Sequence, residues 1–362
     1  MKKVFGFTLL FLSVFLLAAC GGRTYVIGMV TDVGDIDDES FNQGTWEGIV
    51  EYAEANDISH RYYQPEGESK EDYLDAIDLA VRRGAEIVIT PGFMFEEAIY
   101  EAQSLYPDVM FVLLDGIPHP GDYAQSDVAD NTVSIFYAEH ESGFLAGYAA
   151  VKEGMTSLGY FGGVPVPPVV RFGVGYIAGA YYAAEELGVT LDFGQNNYEY
   201  RYSFAPDDTH RTRAAAWFDR DVEVIFSAAG GVGSNVMAAA QTADAWMIGV
   251  DVDQGALNDH VLTSAMKSLG VSVQQMLELY FDGEFPGGEV RTLTATEDGV
   301  ALPMESSRFT NFTQADYDEI FGLLADGTIE VPESYSELLT FFSDNNLGDL
   351  PFDEEDVEPG LD

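Results

Sequence analysis

The chain has 362 residues, with 62 Asp or Glu against 16 Lys or Arg and a formal net charge of −46. So negative a surface repels nucleic-acid phosphates and anionic lipid headgroups, which removes both as partners. At 47% hydrophobic and 13% aromatic the chain is too apolar to be disordered, and its length exceeds a single core, so two lobes are expected.

Lys2 and Lys3 precede an apolar run at 4–17. That run suits a secretory signal and falls short of the roughly 20 residues of a membrane span. Leu17-Ala18-Ala19-Cys20 closes it, so 1–19 is expected to be a lipoprotein signal peptide, Cys20 the lipidated residue and 20–24 a short tether. Cys20 is the single cysteine, so acylation leaves no thiol for a disulfide or a metal. The expected location is the extracytoplasmic face of the cell membrane, reached through this lipid anchor.

From residue 25 onward, strands and helices alternate. Strands are expected at 25–30, 59–64, 86–90 and 109–115, with helices at 43–55, 70–83 and 95–105 between them. Short Val- and Ile-rich runs separated by amphipathic stretches mark a parallel sheet with right-handed crossovers. The pattern then restarts with strand 131–137, helix 141–151, SLGYFGG, helix 172–187, VEVIFSAAGG, helix 235–243 and WMIGVDVD. The expected architecture is α/β, with two Rossmann-like lobes. Residues 25–136 with 267–290 form one lobe, and 137–266 with 291–343 form the other. VLTSAM (261–266) is expected to cross between them, and 344–362 to be an acidic, poorly ordered tail.

Signatures of catalysis are missing from the motifs. There is no nucleophile elbow and no P-loop lysine, and His60, His119, His140, His210 and His260 lack metal-ligand spacing. No catalytic residue, cofactor or metal is therefore expected. AAGGVGSN (228–235) resembles a dinucleotide loop but has Val236 where the third Gly belongs; as a strand-to-helix turn it turns backbone amides, Gly230 among them, toward a polar ligand. Asp35, Asp37, Asp38 and Glu39 lack calcium-loop spacing and read as a solvated face.

A second group of residues lies where doubly wound folds bind ligands, at the strand C-termini. Asp32 follows the first strand, Phe41-Asn42 opens the first helix, and Asp115 ends VLLD. Phe204 follows NYEYRYS, Asp251 ends MIGVD, and Lys267 is one of three lysines beyond the signal. Each alone has a plain reading as a cap, core residue or surface charge. Their shared position favours a binding site.

The motifs TDVGDIDDESFNQGTWEG, LDG, ESGFLAGYAA, RFGVGYIAGA, SAAGGVG and IGVDVDQ, in this order, resemble the basic membrane protein family of bacterial surface lipoproteins. The resemblance implies a type I periplasmic-binding-protein fold whose lobes are joined by three crossings. It also implies a purine nucleoside (adenosine, guanosine or inosine) held between the lobes for delivery to an ABC transporter permease. The purine would lie between Phe41 and a second ring, Phe204 or Tyr202. Asp32, Asp115 and Asn42 would face the base, and Asp251 and Lys267 would hold the ribose. The sequence departs from the family at Asp35, where a second Gly is more usual, and at Glu39, where Lys is frequent. Two other classes fit the residues themselves: a sugar or nucleoside-like ligand receptor of the same fold, and a nucleoside-cleaving enzyme. The first usually adds Arg and Asn to the crevice and the second a cluster of Asp around calcium, and the motifs carry neither.

Overall fold

The computed structural model describes residues 24–32 and 36–360. The expected signal peptide, Cys20 and Asp35 lie outside the described residues. The first lobe alternates β1 (Ile27–Val30), α1 (Phe41–Ala55), β2 (His60–Tyr63), α2 (Lys70–Arg82), β3 (Ile87–Pro91), α3 (Glu96–Leu105), β4 (Met110–Leu114) and β5 (Thr132–Tyr137). The chain crosses over through α4 (Glu139–Glu153), β6 (Leu158–Gly162), α5 (Pro167–Leu187), β7 (Tyr198–Tyr200) and α6 (Asp208–Phe218). The second lobe continues with β8 (Val224–Ala228), α7 (Val232–Ala243), β9 (Trp246–Asp251) and β10 (Val261–Lys267). The chain returns in α8 (Leu269–Phe281) and β11 (Val290–Leu293), then crosses again to β12 (Val300–Ala301). It finishes with α9 (Gln314–Ala325), α10 (Tyr335–Asp344) and α11 (Glu354–Val357).

Local chemistry accounts for these elements. In α2, Ser69 and Asp72 form a reciprocal capping box, and Tyr73, Ala76, Ile77 and Ala80 recur at helical spacing to cover the sheet. Strands β1, β3 and β8 are buried at every position, which their continuous apolar runs require of a sheet covered on both faces.

The strand orders are β11-β5-β4-β3-β1-β2 and β12-β10-β9-β8-β6-β7. All described pairings are parallel except β12 with β10. The chain therefore passes between the sheets three times, after β5, β10 and β11. Both sheets carry the 2-1-3-4-5 order of doubly wound folds, whose ligands sit at the strand C-termini.

Three expectations change. VLTSAM is not a crossing but most of β10, hydrogen-bonded to β9 and largely buried; the crossing begins at Ser268. Its small and apolar side chains suit a central strand covered on both faces. Strand β11 pairs with β5 and so lies in the first sheet through Leu293, past the change of lobe expected at 290. Over 344–360 the acidic tail packs against the second lobe: Phe352 and Val357 are buried, and the Tyr200 hydroxyl donates to the Val357 carbonyl (2.6 Å). Two apolar anchors suffice to lay the tail over the β7 edge, which would otherwise expose a sheet edge.

Helices α4 and α5 are the most closely docked pair. Gly143 and Gly147 on α4 and Gly175 and Gly179 on α5 meet the other helix's backbone so tightly that a Cβ at any of them would overlap it. Only glycine permits that approach. It is the structural reason for the two Gly-x-x-x-Gly motifs inside ESGFLAGYAA and RFGVGYIAGA.

Candidate functional site

A cavity of about 770 Å³ lies between the C-terminal ends of the two sheets, within the roughly 300–1,000 Å³ usual for small-molecule sites. Asp32, Phe41, Asn42 and Asp115 line it from the first lobe, and Phe204, Gly230, Asp251 and Lys267 from the second. Val166, Val169, Phe172 and Met94 add apolar wall. Of the two candidate second rings, Phe204 lines the cavity, whereas Tyr202 is 67% exposed and does not. Gly230 has a left-handed backbone (φ 53°) and packs under Phe204, while Gly163 lacks the Cβ that would overlap the Phe204 ring.

One polar pole forms at the start of α1. The Asp38 carboxylate accepts from the backbone N–H groups of Ser40, Asn42 and Gln43 (2.9–3.0 Å). It caps the helix and sits at its positive end. Asp37, Asp38 and Glu39 also line the cavity, so this acidic run is not merely a solvated face. The Asn42 side chain is fully engaged within the protein. Its Nδ2 donates to Asp32 Oδ1 (2.8 Å) and Asp38 Oδ2 (3.0 Å), and its Oδ1 accepts from Asp32 N–H (3.4 Å). Asn42 thus holds Asp32 in place, and both amide hydrogens are taken.

The other pole is a buried charge cage around Lys267. Its Nζ donates to Asp115 Oδ2 (2.5 Å) and lies 3.1 Å from Glu139 Oε1 and 3.8 Å from Asp251 Oδ1. Arg171 Nε donates to the other oxygen of Glu139 (2.7 Å). The ammonium also faces the rings of Phe41 (4.9 Å), Phe172 (5.3 Å) and Tyr137 (5.6 Å), within cation–π range. Asp115, directly after β4, and Asp251, the last residue of β9, have left-handed backbones (φ 52° and 65°), the turn that Asp tolerates better than bulkier residues. Asp115 Oδ1 is buried with no hydrogen-bond partner.

Three carboxylates against two cations leave one negative charge poorly compensated. Burial, only partly offset by Lys267, pushes Asp115 up to about 7. Burial also works to raise Glu139, but Lys267 and Arg171 together overcome it and hold that carboxyl at about 2. Asp251 is likewise raised by burial, with Lys267 opposing. Burial would lower Lys267; the surrounding carboxylates, Asp115 first, keep it above the ordinary ammonium range.

Several contacts join the lobes directly. Besides Lys267 with Asp115, Ser40 Oγ donates to Asp251 Oδ2 (2.6 Å), and Gln254 Nε2 donates to the Glu39 carbonyl (2.7 Å). Ser40, Glu139, Arg171 and Phe172 were not among the residues expected from sequence. The available signal was weak: in a chain with 62 acids and 16 Lys or Arg, an arginine heading an apolar helix is a candidate for a buried ion pair.

Residues 25–334 match the Bmp family, described as "ABC transporter substrate-binding protein PnrA-like". The ABC transporter nucleoside-binding protein BmpA of Lactococcus lactis is 30% identical over 304 residues, 77% of this chain and 81% of that protein. The CD4+ T-cell-stimulating antigen of Listeria monocytogenes is 30% identical over 332 residues, 86% of this chain and 89% of that protein. An ABC transporter solute-binding protein from Aeropyrum pernix aligns in structure with a TM-score of 0.75 at 21% identity, over 89% of this chain and 98% of that one. That likeness identifies the fold as periplasmic-binding-protein-like, with two mostly parallel sheets.

Proposed function

The chain belongs to the Bmp family of PnrA-like ABC transporter substrate-binding proteins, and on that premise we propose that it captures a purine nucleoside in the interlobe cleft. The family is one of binding proteins, not enzymes. The observation that carries the reading is the separation of the cleft's polar groups into two poles with aromatic wall between them. Asp32 follows β1 and Asp115 follows β4, with β3 between, so the strands that carry them lie about 9–10 Å apart in the sheet. A nucleoside offers polar groups at both ends, the base edge and the ribose diol, to match these two poles, whereas a free base or a free sugar offers only one of the two.

In this reading Phe41 and Phe204 cover the faces of the base, and Asp32, positioned by Asn42, accepts from donors on its edge. Asp251 and Lys267 hold the ribose hydroxyls, and Asp115, beside Lys267, belongs with them rather than with the base. A carboxylate accepts from vicinal hydroxyls and an ammonium donates to the same oxygens. The charge balance argues against phosphorylated ligands. Lys267, the one Lys or Arg among the residues lining the cleft, is already surrounded by carboxylates, so a phosphate would meet net negative charge.

The same proposal includes a lipid anchor at Cys20 and delivery of the captured nucleoside to a permease. Among the described residues no helix is long and apolar enough to cross a membrane. Calorimetry with guanosine, adenosine, inosine, guanine and guanosine monophosphate tests the ligand class. The nucleosides are expected to bind more tightly than the base, and the nucleotide not to bind. If no purine nucleoside binds, or if the nucleotide binds best, the reading is wrong.

A further inference from the structure

Two charges behind the cleft wall have no part in ligand contact as described so far. We propose that Glu139 and Arg171, neither of which lines the cleft, are positioning residues that fix the Lys267 ammonium between the lobes and so set the preference for ribosides over 2′-deoxyribosides. The inference rests on the nucleoside reading above.

Glu139 is the first residue of α4 and is wholly buried. Arg171 lies in the second turn of α5. The glycine contacts between these helices fix their separation, and with it the approach of the two side chains. The result is a chain of alternating charge: Arg171 on Glu139 Oε2 (2.7 Å), Glu139 Oε1 by Lys267 (3.1 Å), and Lys267 on Asp115 Oδ2 (2.5 Å). It starts behind the second lobe's wall and ends on the first lobe.

A lysine ammonium has three N–H groups on a flexible stem. Asp115 takes one N–H and Glu139 holds the ammonium by charge at 3.1 Å, which leaves an N–H for an oxygen near Asp251 (3.8 Å from Nζ). Arg171 takes one oxygen of Glu139 and so limits that carboxylate to a single contact with Lys267. Without Glu139, the ammonium shifts fully to Asp115. Without Arg171, both Glu139 oxygens draw it back into the second lobe. Either change moves the donor away from the diol, and the loss falls on ligands that carry the 2′-hydroxyl.

The test is calorimetry on the full chain with guanosine and 2′-deoxyguanosine, for wild type, Glu139→Gln, Arg171→Met, Arg171→Lys and the Glu139→Gln/Arg171→Met double variant. The ratio of the two dissociation constants is expected to fall roughly tenfold in Glu139→Gln, the size of one hydrogen bond to a charged group. Arg171→Met should lower it similarly, and Arg171→Lys should restore most of it. If Arg171→Met does not fold because it strands a buried carboxylate, the double variant removes both charges and gives the same reading. Equal weakening of both ligands at the wild-type ratio would show that the pair only supports the fold, and would overturn this inference alone. A wild type that binds neither nucleoside overturns the nucleoside reading and this inference with it.

Discussion

Lys267 at the end of β10 donates to Asp115, directly after β4, across 2.5 Å, a buried hydrogen-bonded ion pair that joins the two lobes. The side chains are 3% and 6% exposed, so solvent does little to screen them. Each lobe contributes the last residue of a strand or the one after it. The contact therefore reports how closely the two sheets approach.

Replacing Lys267 with Met keeps the stem but strands Asp115, whereas Glu139 keeps Arg171 and Asp251 keeps Ser40. Removing one partner of a buried pair typically costs about 3–5 kcal/mol. Urea unfolding of Lys267→Met should show a loss of that order, at neutral pH and without ligand. An unchanged midpoint would mean that water already compensates the cage.

The cage also predicts a pH dependence. An unfolded aspartate titrates near 3.9, and Asp115 in the folded protein near 7. Between those values the folded state holds a proton that the unfolded state has lost, so this group's contribution to stability falls as pH rises from about 4 to about 7. Glu139 has the opposite sign. Held at about 2, against about 4.3 unfolded, it contributes stability that is present above its unfolded value and lost as pH falls through about 2. Unfolding free energies measured from pH 5 to 8 should therefore decline less steeply in Asp115→Asn than in wild type. Parallel curves would remove Asp115 as the titrating group.

Phe41→Ala and Phe204→Ala should each weaken a purine nucleoside by about 1–3 kcal/mol, the usual contribution of one ring stacked on a base. That is roughly 5- to 150-fold in dissociation constant. Free ribose should be almost unaffected. Calorimetry in which either variant retains wild-type nucleoside affinity takes that ring out of the site.

A Cβ at Gly175 would overlap the His140 carbonyl oxygen, so Gly175→Ala must push α4 and α5 apart. Overpacking of this kind costs about 1–3 kcal/mol and should also loosen the Glu139–Arg171 pair. Gly322 in α9 has nothing within 4 Å of the same position, so Gly322→Ala should be neutral or stabilising, by up to about 1 kcal/mol. Thermal unfolding of the two variants should move in opposite directions, or only the first should move. Equal midpoints for both would mean that the helix contact yields without penalty.

Cys20→Ser should release the protein from the membrane fraction while leaving nucleoside affinity intact. One acyl chain gives marginal binding, and stable anchoring needs two signals, such as dual acylation. Fractionation that leaves the variant in the pellet as firmly as wild type would place the anchor elsewhere.

Much of the fold was legible because apolar periodicity is a local property. Val and Ile runs such as IVITP and VIFSA, set between amphipathic helices, needed no tertiary information to be recognised as buried parallel strands. VLTSAM was not legible in the same way. A short run of small and apolar residues suits a linker or a central strand equally, and only pairing with β9 decides between them. The tail misled for a related reason: its acidic composition is a property of the whole segment, whereas its docking depends on Phe352 and Val357 alone.

The site divides along the same line. Position at a strand C-terminus was enough to bring Asp32, Phe41, Asp115, Phe204 and Asp251 to one cleft, because β-α connectivity puts those ends on one edge of each sheet; the place of Lys267 there came only with the family resemblance, because VLTSAM alone does not read as a strand. What each side chain does there depended on neighbours distant in sequence. Asn42 stands at the cavity, but its amide is spent on Asp32 and Asp38. Tyr202 and Phe204 are equivalent in sequence terms and are separated only by which one faces inward. Glu139 and Arg171 lie 32 residues apart and meet because four glycines let two helices touch. Sequence by itself determined that strand-end residues such as Asp32, Asp115 and Asp251 reach the crevice, since that follows from the alternation of strands and helices along the chain. Tertiary structure decided which charges are paired, since that depends on distances of a few ångströms between elements that local periodicity does not relate.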